Sequence, residues 1–302
     1  MPDDPNANTL VVVRHGIFSD SGAMANLESY LFNKFPGCLT GADPNYRWQD
    51  PILHSGVELA ELVLRQVKAT PAIDKIIFAG HSQGGLVCRV AVAALCAHAK
   101  LLASVRLRQG SDPSYFEHAA TQLLDFSRLY VEEMTLASNA VHSILMLGTP
   151  NCGAFTNGQL ALQGTIALKT AKKIASLGGW KNFDELTTEK LFRLLQNLDI
   201  RRVRYVSISG SSFNRYKAMG WSSLSAIPLV SRLAPALELP NDWVVEDSSV
   251  DLSKAPLPTE VGNLNKQYTH IRAYTECILT SHTSIHSDPT VFAALDAVLG
   301  WS

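Results

Sequence analysis

The chain carries no excess of charge of one sign. Its 26 basic and 27 acidic side chains leave a formal charge of −1, which excludes the broad positive field that binding to nucleic-acid phosphates requires. Charged residues make up only 18% against 46% hydrophobic, so the composition is not that of a disordered chain. No stretch of about 18 apolar residues occurs, and the run Leu10–Val13 is far too short to cross a bilayer. The opening MPDDPNANTL has neither the positive segment nor the apolar stretch of a secretory signal, so the expected location is cytoplasmic. Cysteine is sparse and odd in number: Cys38, Cys88, Cys96, Cys152 and Cys277 are widely spaced and form no CxxC pair. That pattern argues against a disulfide framework and reads as reduced, mostly buried thiols. His282 and His286 are four apart, but no HExxH string and no third ligand cluster accompanies them, so neither a metal nor any other cofactor is expected. Internal repeats and low-complexity linkers are missing too, and 302 residues suit one elaborated domain over 1–302.

What is present is an alternation of short apolar runs and helical segments. Thr9–Arg14, Lys75–Ala79, Val141–Leu147, Val203–Ser209 and Thr269–Tyr274 read as strands. Their continuous rather than alternating apolar character suits parallel strands covered on both faces. Between them, Leu53–Ala69 carries Leu59, Leu62, Val63 and Val67 at helical spacing. Leu86–Leu102 reads as one buried helix and Tyr115–Ser138 as one long amphipathic helix. Asp288–Leu299 opens with a Ser287/Asp288 cap and Pro289 at the first helical position. Strand, helix, strand in this order predicts a mostly parallel, doubly wound α/β sheet. Two stretches interrupt it, 153–199 and 211–240, and are expected to be helical cap or lid insertions over the carboxyl edge of the sheet.

The most informative string is FAGHSQGG at Phe78–Gly85. It holds G-x-S-x-G directly after a predicted strand and directly before a predicted helix, the context that motif requires. The turn is tight, the central residue is strained, and side chains two positions either side would collide, which is why glycine stands at both. Ser82 is then the candidate nucleophile. The helix starting beside it points free amides and the positive end of its dipole at developing negative charge.

With VVVRHGIFSDS, AGHSQGGLVCR and MLGTPNCGA on the page, the chain resembles the α/β-hydrolase superfamily. Within it, it is similar to the lipase-like branch that includes bacterial triacylglycerol lipases and GPI inositol-deacylase-like proteins. The resemblance implies an oxyanion hole formed by the backbone N–H groups of Gln83 and of Ile17, with Phe18 next in line. It implies His282 as the base, from SHTSIHSDPTVF, with His286 as the rival; His270 lies inside a strand run and reads as structural. It implies Asp242 as the acid, from LPNDWVVEDSSV, with Asp247 and Glu246 as rivals. Trp243 stands where relatives commonly carry Gly. Phe18, His81, Thr149, Pro150 and Asn151 are the candidate substrate contacts.

The expected activity is that of a serine carboxylic-ester hydrolase. A free hydroxyl is a poor nucleophile, so it needs a base, and the base needs an acid to fix its tautomer. The expected partner is a small-molecule or lipid ester with an apolar acyl group, and an amphipathic cap allows transient contact with a membrane surface. An amidase, thioesterase or acyltransferase on the same triad is the alternative, because fold does not choose among them. A non-catalytic binding protein on the same scaffold is the second.

Overall fold

The computed structural model describes residues 8–16, 21–36, 38–40, 46–106, 113–151, 194–195, 198, 200, 202–210, 268–272 and 284–300. Within them, six strands form one sheet: β1 (Thr9–Arg14), β2 (Leu39–Thr40), β3 (Lys75–His81), β4 (Val141–Leu147), β5 (Arg204–Ser209) and β6 (Tyr268–Arg272). Their spatial order is β2-β1-β3-β4-β5-β6. Every pairing is parallel. Parallel neighbours need a crossover each time, and among the described residues helices supply those between β1 and β4.

Seven α-helices are described, besides a 3-10 turn at Ser21–Met24: α1 (Ala25–Lys34), α2 (Ile52–Ala69), α3 (Gln83–Cys96), α4 (His98–Arg106), α5 (Pro113–Leu129), α6 (Val131–Ala140) and α7 (Pro289–Leu299). They cover both faces, so strand residues are sorted by parity into two cores. Leu10, Val12, Ile76, Phe78, Ile144 and Met146 pack with α2 and α3 on one side. Val11, Ile77, Ala79, Leu145, Val206 and Ile208 pack with α1 and α7 on the other. This is the parallel, doubly wound α/β sheet that the alternation of runs predicts, and it fits the α/β-hydrolase fold that the resemblance implies.

Two helices are shorter than the apolar pattern implies. The single helix expected over Leu86–Leu102 is α3 followed by α4, with an angle of 111° between them. The long helix expected over Tyr115–Ser138 breaks at Tyr130 into α5 and α6. In each case the apolar spacing continues across the break, so periodicity alone could not find it. No single helix among the described residues is long and apolar enough to cross a membrane. The start of α7 follows the sequence closely: Asp288 Oδ1 accepts from the Thr290 N–H at 2.8 Å, Pro289 follows, and Gly300 ends the helix at φ 66°. The cap and insertion stretches 153–199 and 211–240 lie almost wholly outside the described residues.

Candidate active site

All six strands run the same way, so their carboxyl ends share one edge, and the loops leaving β1, β3 and β4 meet there. Ser82 lies between the last residue of β3 and the first of α3. Its φ of 53° and ψ of −127° make it the only non-glycine residue with positive φ among the described residues. A side chain in that region is strained, and such strain persists only where the surroundings hold it. They do so on both sides. The Ser82 N–H donates to the Leu147 carbonyl at 2.8 Å, and the Ser82 carbonyl accepts from Gly85 N–H at 3.1 Å. The Ser82 side chain makes no capping bond to α3, so its hydroxyl is not consumed by the helix it precedes.

The glycines show how tightly the corner is built. A Cβ on Gly80 would lie 2.4 Å from the Gly85 nitrogen, and one on Gly84 would lie 2.4 Å from the Arg14 carbonyl and 2.6 Å from that of His15. Both clashes are with backbone, which cannot swing away. A Cβ on Gly16 would stand 2.7 Å from Ser82 Cβ and 3.3 Å from Ser82 Oγ. The strand end at Arg14–Gly16 therefore runs directly against the serine, and Gly16 lets it approach. Ile17 and Phe18, which follow, lie outside the described residues. Gln83, the other oxyanion candidate, occupies the first position of α3, where backbone N–H groups have no partner within the helix.

The β4 loop closes a third side. Gly148 takes φ 57° and its N–H donates to the Ile208 carbonyl at 2.8 Å. Thr149 and Asn151 are fully buried. Thr149 packs on Gly85, where an added Cβ would come within 2.0 Å of its Oγ1. Asn151 Oδ1 accepts from Arg89 Nη1 at 3.3 Å. Both side chains are thus engaged in seating the loop on the helix that carries Ser82. Arg89, itself buried, is a residue the motif reading passed over. Its signal was a charged residue at the centre of the apolar string GGLVCRVAVAA, where a guanidinium is kept only if it is paired.

From the carboxyl-terminal end comes the Ser284–Asp288 turn, closed by Ser287 N–H donating to Ser284 O at 2.9 Å. Ile285 is fully buried in the α1/α7 core, and His286 packs edge-on against His81, with ring centroids 4.9 Å apart and planes at 69°. The structure thus brings His286 to the residue before the nucleophile. His282, Asp242, Asp247 and Glu246 lie outside the described residues; His270 lies in β6. Of the cysteines, Cys38, Cys88 and Cys96 are free thiols. Burial pushes Cys88 up to about 12, which keeps it protonated and inert at neutral pH. Among the described residues no group of three or more His, Cys, Asp or Glu could hold a metal ion.

A second feature that motif reading missed is the loop before α2. Tyr46 lies against His15, with ring centroids 4.7 Å apart, and beneath the Arg14 guanidinium, 5.7 Å from its centroid. The Tyr46 hydroxyl donates to the His15 carbonyl at 3.3 Å, and Gln83 Nε2 donates to the Trp48 carbonyl at 2.8 Å. An aromatic pair in a loop is a common pattern, and nothing in its spacing announces these contacts.

Among solved structures, the chain is similar to the mature form of the lipase BlEst2 from Bacillus licheniformis: 16% identity, TM-score 0.55, covering 96% of this chain and 91% of that one. It is also similar to the product of the gene lin2722 from Listeria innocua: 10% identity, TM-score 0.51, covering 96% and 93%. At such identities the likeness is one of fold. No curated protein sequence matches the chain. The family described as "Putative serine esterase (DUF676)" matches residues 4–179, more than half of the chain and the part that holds β1, the serine corner and the β4 loop. With that match laid over this geometry, the chain belongs to that serine-esterase family and has the α/β-hydrolase fold.

Proposed function

We propose that the protein is a carboxylic-ester hydrolase that works through an acyl-enzyme on Ser82, with His282 as base and Asp242 as the acid that orients it. The observation that carries this reading is the strained conformation of Ser82 at the β3–α3 corner, φ 53° and ψ −127°, held by neighbours that only glycines allow so near. Stored strain at one serine on the carboxyl edge of the sheet is the signature of a nucleophile rather than of a plain loop.

In this mechanism the imidazole removes the Ser82 proton as Oγ forms its bond to the ester carbonyl carbon. The negative oxygen of the tetrahedral intermediate is held by the backbone N–H groups of Gln83 and Ile17. The carbon–alkoxy bond then breaks, and the leaving alkoxide takes the proton from the imidazolium. Water, deprotonated by the same imidazole, repeats the sequence and releases the acid. Phe18, His81 and the Thr149–Asn151 loop border the acyl group, and the insertions at 153–199 and 211–240 supply an apolar cover. An apolar acyl ester, met in the cytoplasm and reached in part by transient contact with a membrane surface, is the substrate this reading favours.

One observation favours a second assignment of the base. His286 touches His81, so it is beside the corner, and it is the rival to His282. Fluorophosphonate labelling and p-nitrophenyl ester turnover test both points. The expected outcome is that Ser82→Ala abolishes labelling and turnover, and that His282→Ala lowers kcat by about 10³-fold or more. Loss of that size in His286→Ala with little effect in His282→Ala would transfer the role to His286. Full turnover in Ser82→Ala would overturn the reading altogether. A series of p-nitrophenyl esters of increasing chain length then fixes the acyl preference.

A further inference from the structure

The two arms that meet over Ser82 come from distant parts of the chain: the end of β1 at Arg14–Gly16 and the start of α3 at Gln83. Close approach of their backbones is enforced by Gly16 and Gly84, but glycine only permits an approach; it does not hold it. Both arms are held by one short loop, at Tyr46 on the β1 side and at Trp48 on the α3 side. The Tyr46 hydroxyl donates to the His15 carbonyl at 3.3 Å. The Gln83 side-chain amide donates to the Trp48 carbonyl at 2.8 Å, which anchors it to the loop that carries Tyr46. The Tyr46 ring is clamped in turn: His15 packs on it at 4.7 Å and the Arg14 guanidinium lies over it at 5.7 Å. Burial raises this phenol well above its ordinary range, so it stays a neutral O–H donor at working pH.

We propose that Tyr46 is a positioning residue of the esterase site, a clasp that fixes the His15–Gly16 strand end relative to the Gln83 backbone amide and so sets the width of the oxyanion hole. It touches neither substrate nor the reacting atoms. Its effect is felt where the hole must fit the tetrahedral oxygen rather than the flat ester, because small displacements of a preorganised donor act on the transition state. The clasp rests on the reading of Ser82 as nucleophile.

Tyr46→Phe removes the hydroxyl and keeps the ring contacts with His15 and Arg14. Removing an oxyanion donor outright costs about 10²–10³-fold in kcat, and a donor displaced but retained should cost less, about 10-fold. The measurements are kcat and KM on p-nitrophenyl butyrate and the Ki of an alkyl trifluoromethyl ketone, which forms a tetrahedral adduct on the serine. The expected result is a fall in kcat of about 10-fold with KM within about twofold, and a rise in Ki by the same factor as the fall in kcat. Gln83→Met, which cuts the clasp from its other end and leaves the backbone amide, should reproduce both changes, and the double variant should fall no further than either single one. Unchanged kcat and Ki in Tyr46→Phe overturns the clasp. So does a fall in kcat without a rise in Ki, or a double variant whose loss is the product of the two. Turnover that survives Ser82→Ala would instead remove the nucleophile on which the clasp rests, a separate failure with a separate readout.

Discussion

Replacing Ser82 by glycine should abolish activity and stabilise the protein at once. The strain at φ 53° and ψ −127° belongs to a residue with a Cβ, and conformations of this kind cost about 1–3 kcal/mol. Glycine adopts them without that penalty. Against this stands the greater freedom of glycine in the unfolded chain, about 0.4–1 kcal/mol. Loss of the hydroxyl adds no capping cost, because the Ser82 side chain makes no capping bond to α3. The balance is a gain of about 1 kcal/mol. In a domain of this size that is a rise of about 2 °C in Tm. Ser82→Ala is the control: it keeps the Cβ and the strain, so its Tm should stay near that of the parent. The assay is urea unfolding of all three proteins, followed by fluorescence, with ester turnover measured in parallel. A glycine variant equal to or less stable than the alanine variant would refute the claim that backbone strain is stored at this corner.

Gly16→Ala should lower kcat/KM by about 10²-fold, because its methyl would stand 2.7 Å from Ser82 Cβ and a displacement of about 1 Å at the reacting group carries that penalty; ester turnover within threefold of the parent would contradict the placement of β1. Asn151→Leu removes an acceptor from the buried Arg89 guanidinium and should destabilise by about 1.5–3 kcal/mol, read as a lower urea midpoint. His98 is held below its ordinary range, first by burial and in the opposite sense by a hydrogen bond with the Ala94 backbone. The folded state therefore binds fewer protons than the unfolded one, and this contribution is complete above about pH 6.5 and lost as pH falls through the folded value. The urea midpoint should drop between pH 7.5 and pH 5, and His98→Gln should flatten that drop.

The strands were legible because burial on both faces leaves an unbroken apolar run, and β1, β4 and β5 fall almost where those runs lie. The serine corner was legible because its geometry tolerates only glycine at Gly80 and Gly84, so chemistry and sterics are written in adjacent letters. The cap of α7 was legible for the same reason, since Asp288 and Pro289 act on their own neighbours. Helix breaks at Ala97 and Tyr130 were not, because the apolar spacing runs through them while the chain turns to stay on the sheet.

Local sterics and the short-range order of residues are properties of the string, and they determined that a strained serine would stand between a strand and a helix in a parallel α/β sheet. Which distant side chains converge on that serine was decided only by the folded chain. The contact of His286 with His81, the bond from Arg89 to Asn151 and the bridge from Tyr46 to His15 join positions with no fixed spacing. They exist because parallel strands bring their carboxyl ends, and every loop that leaves them, to one edge.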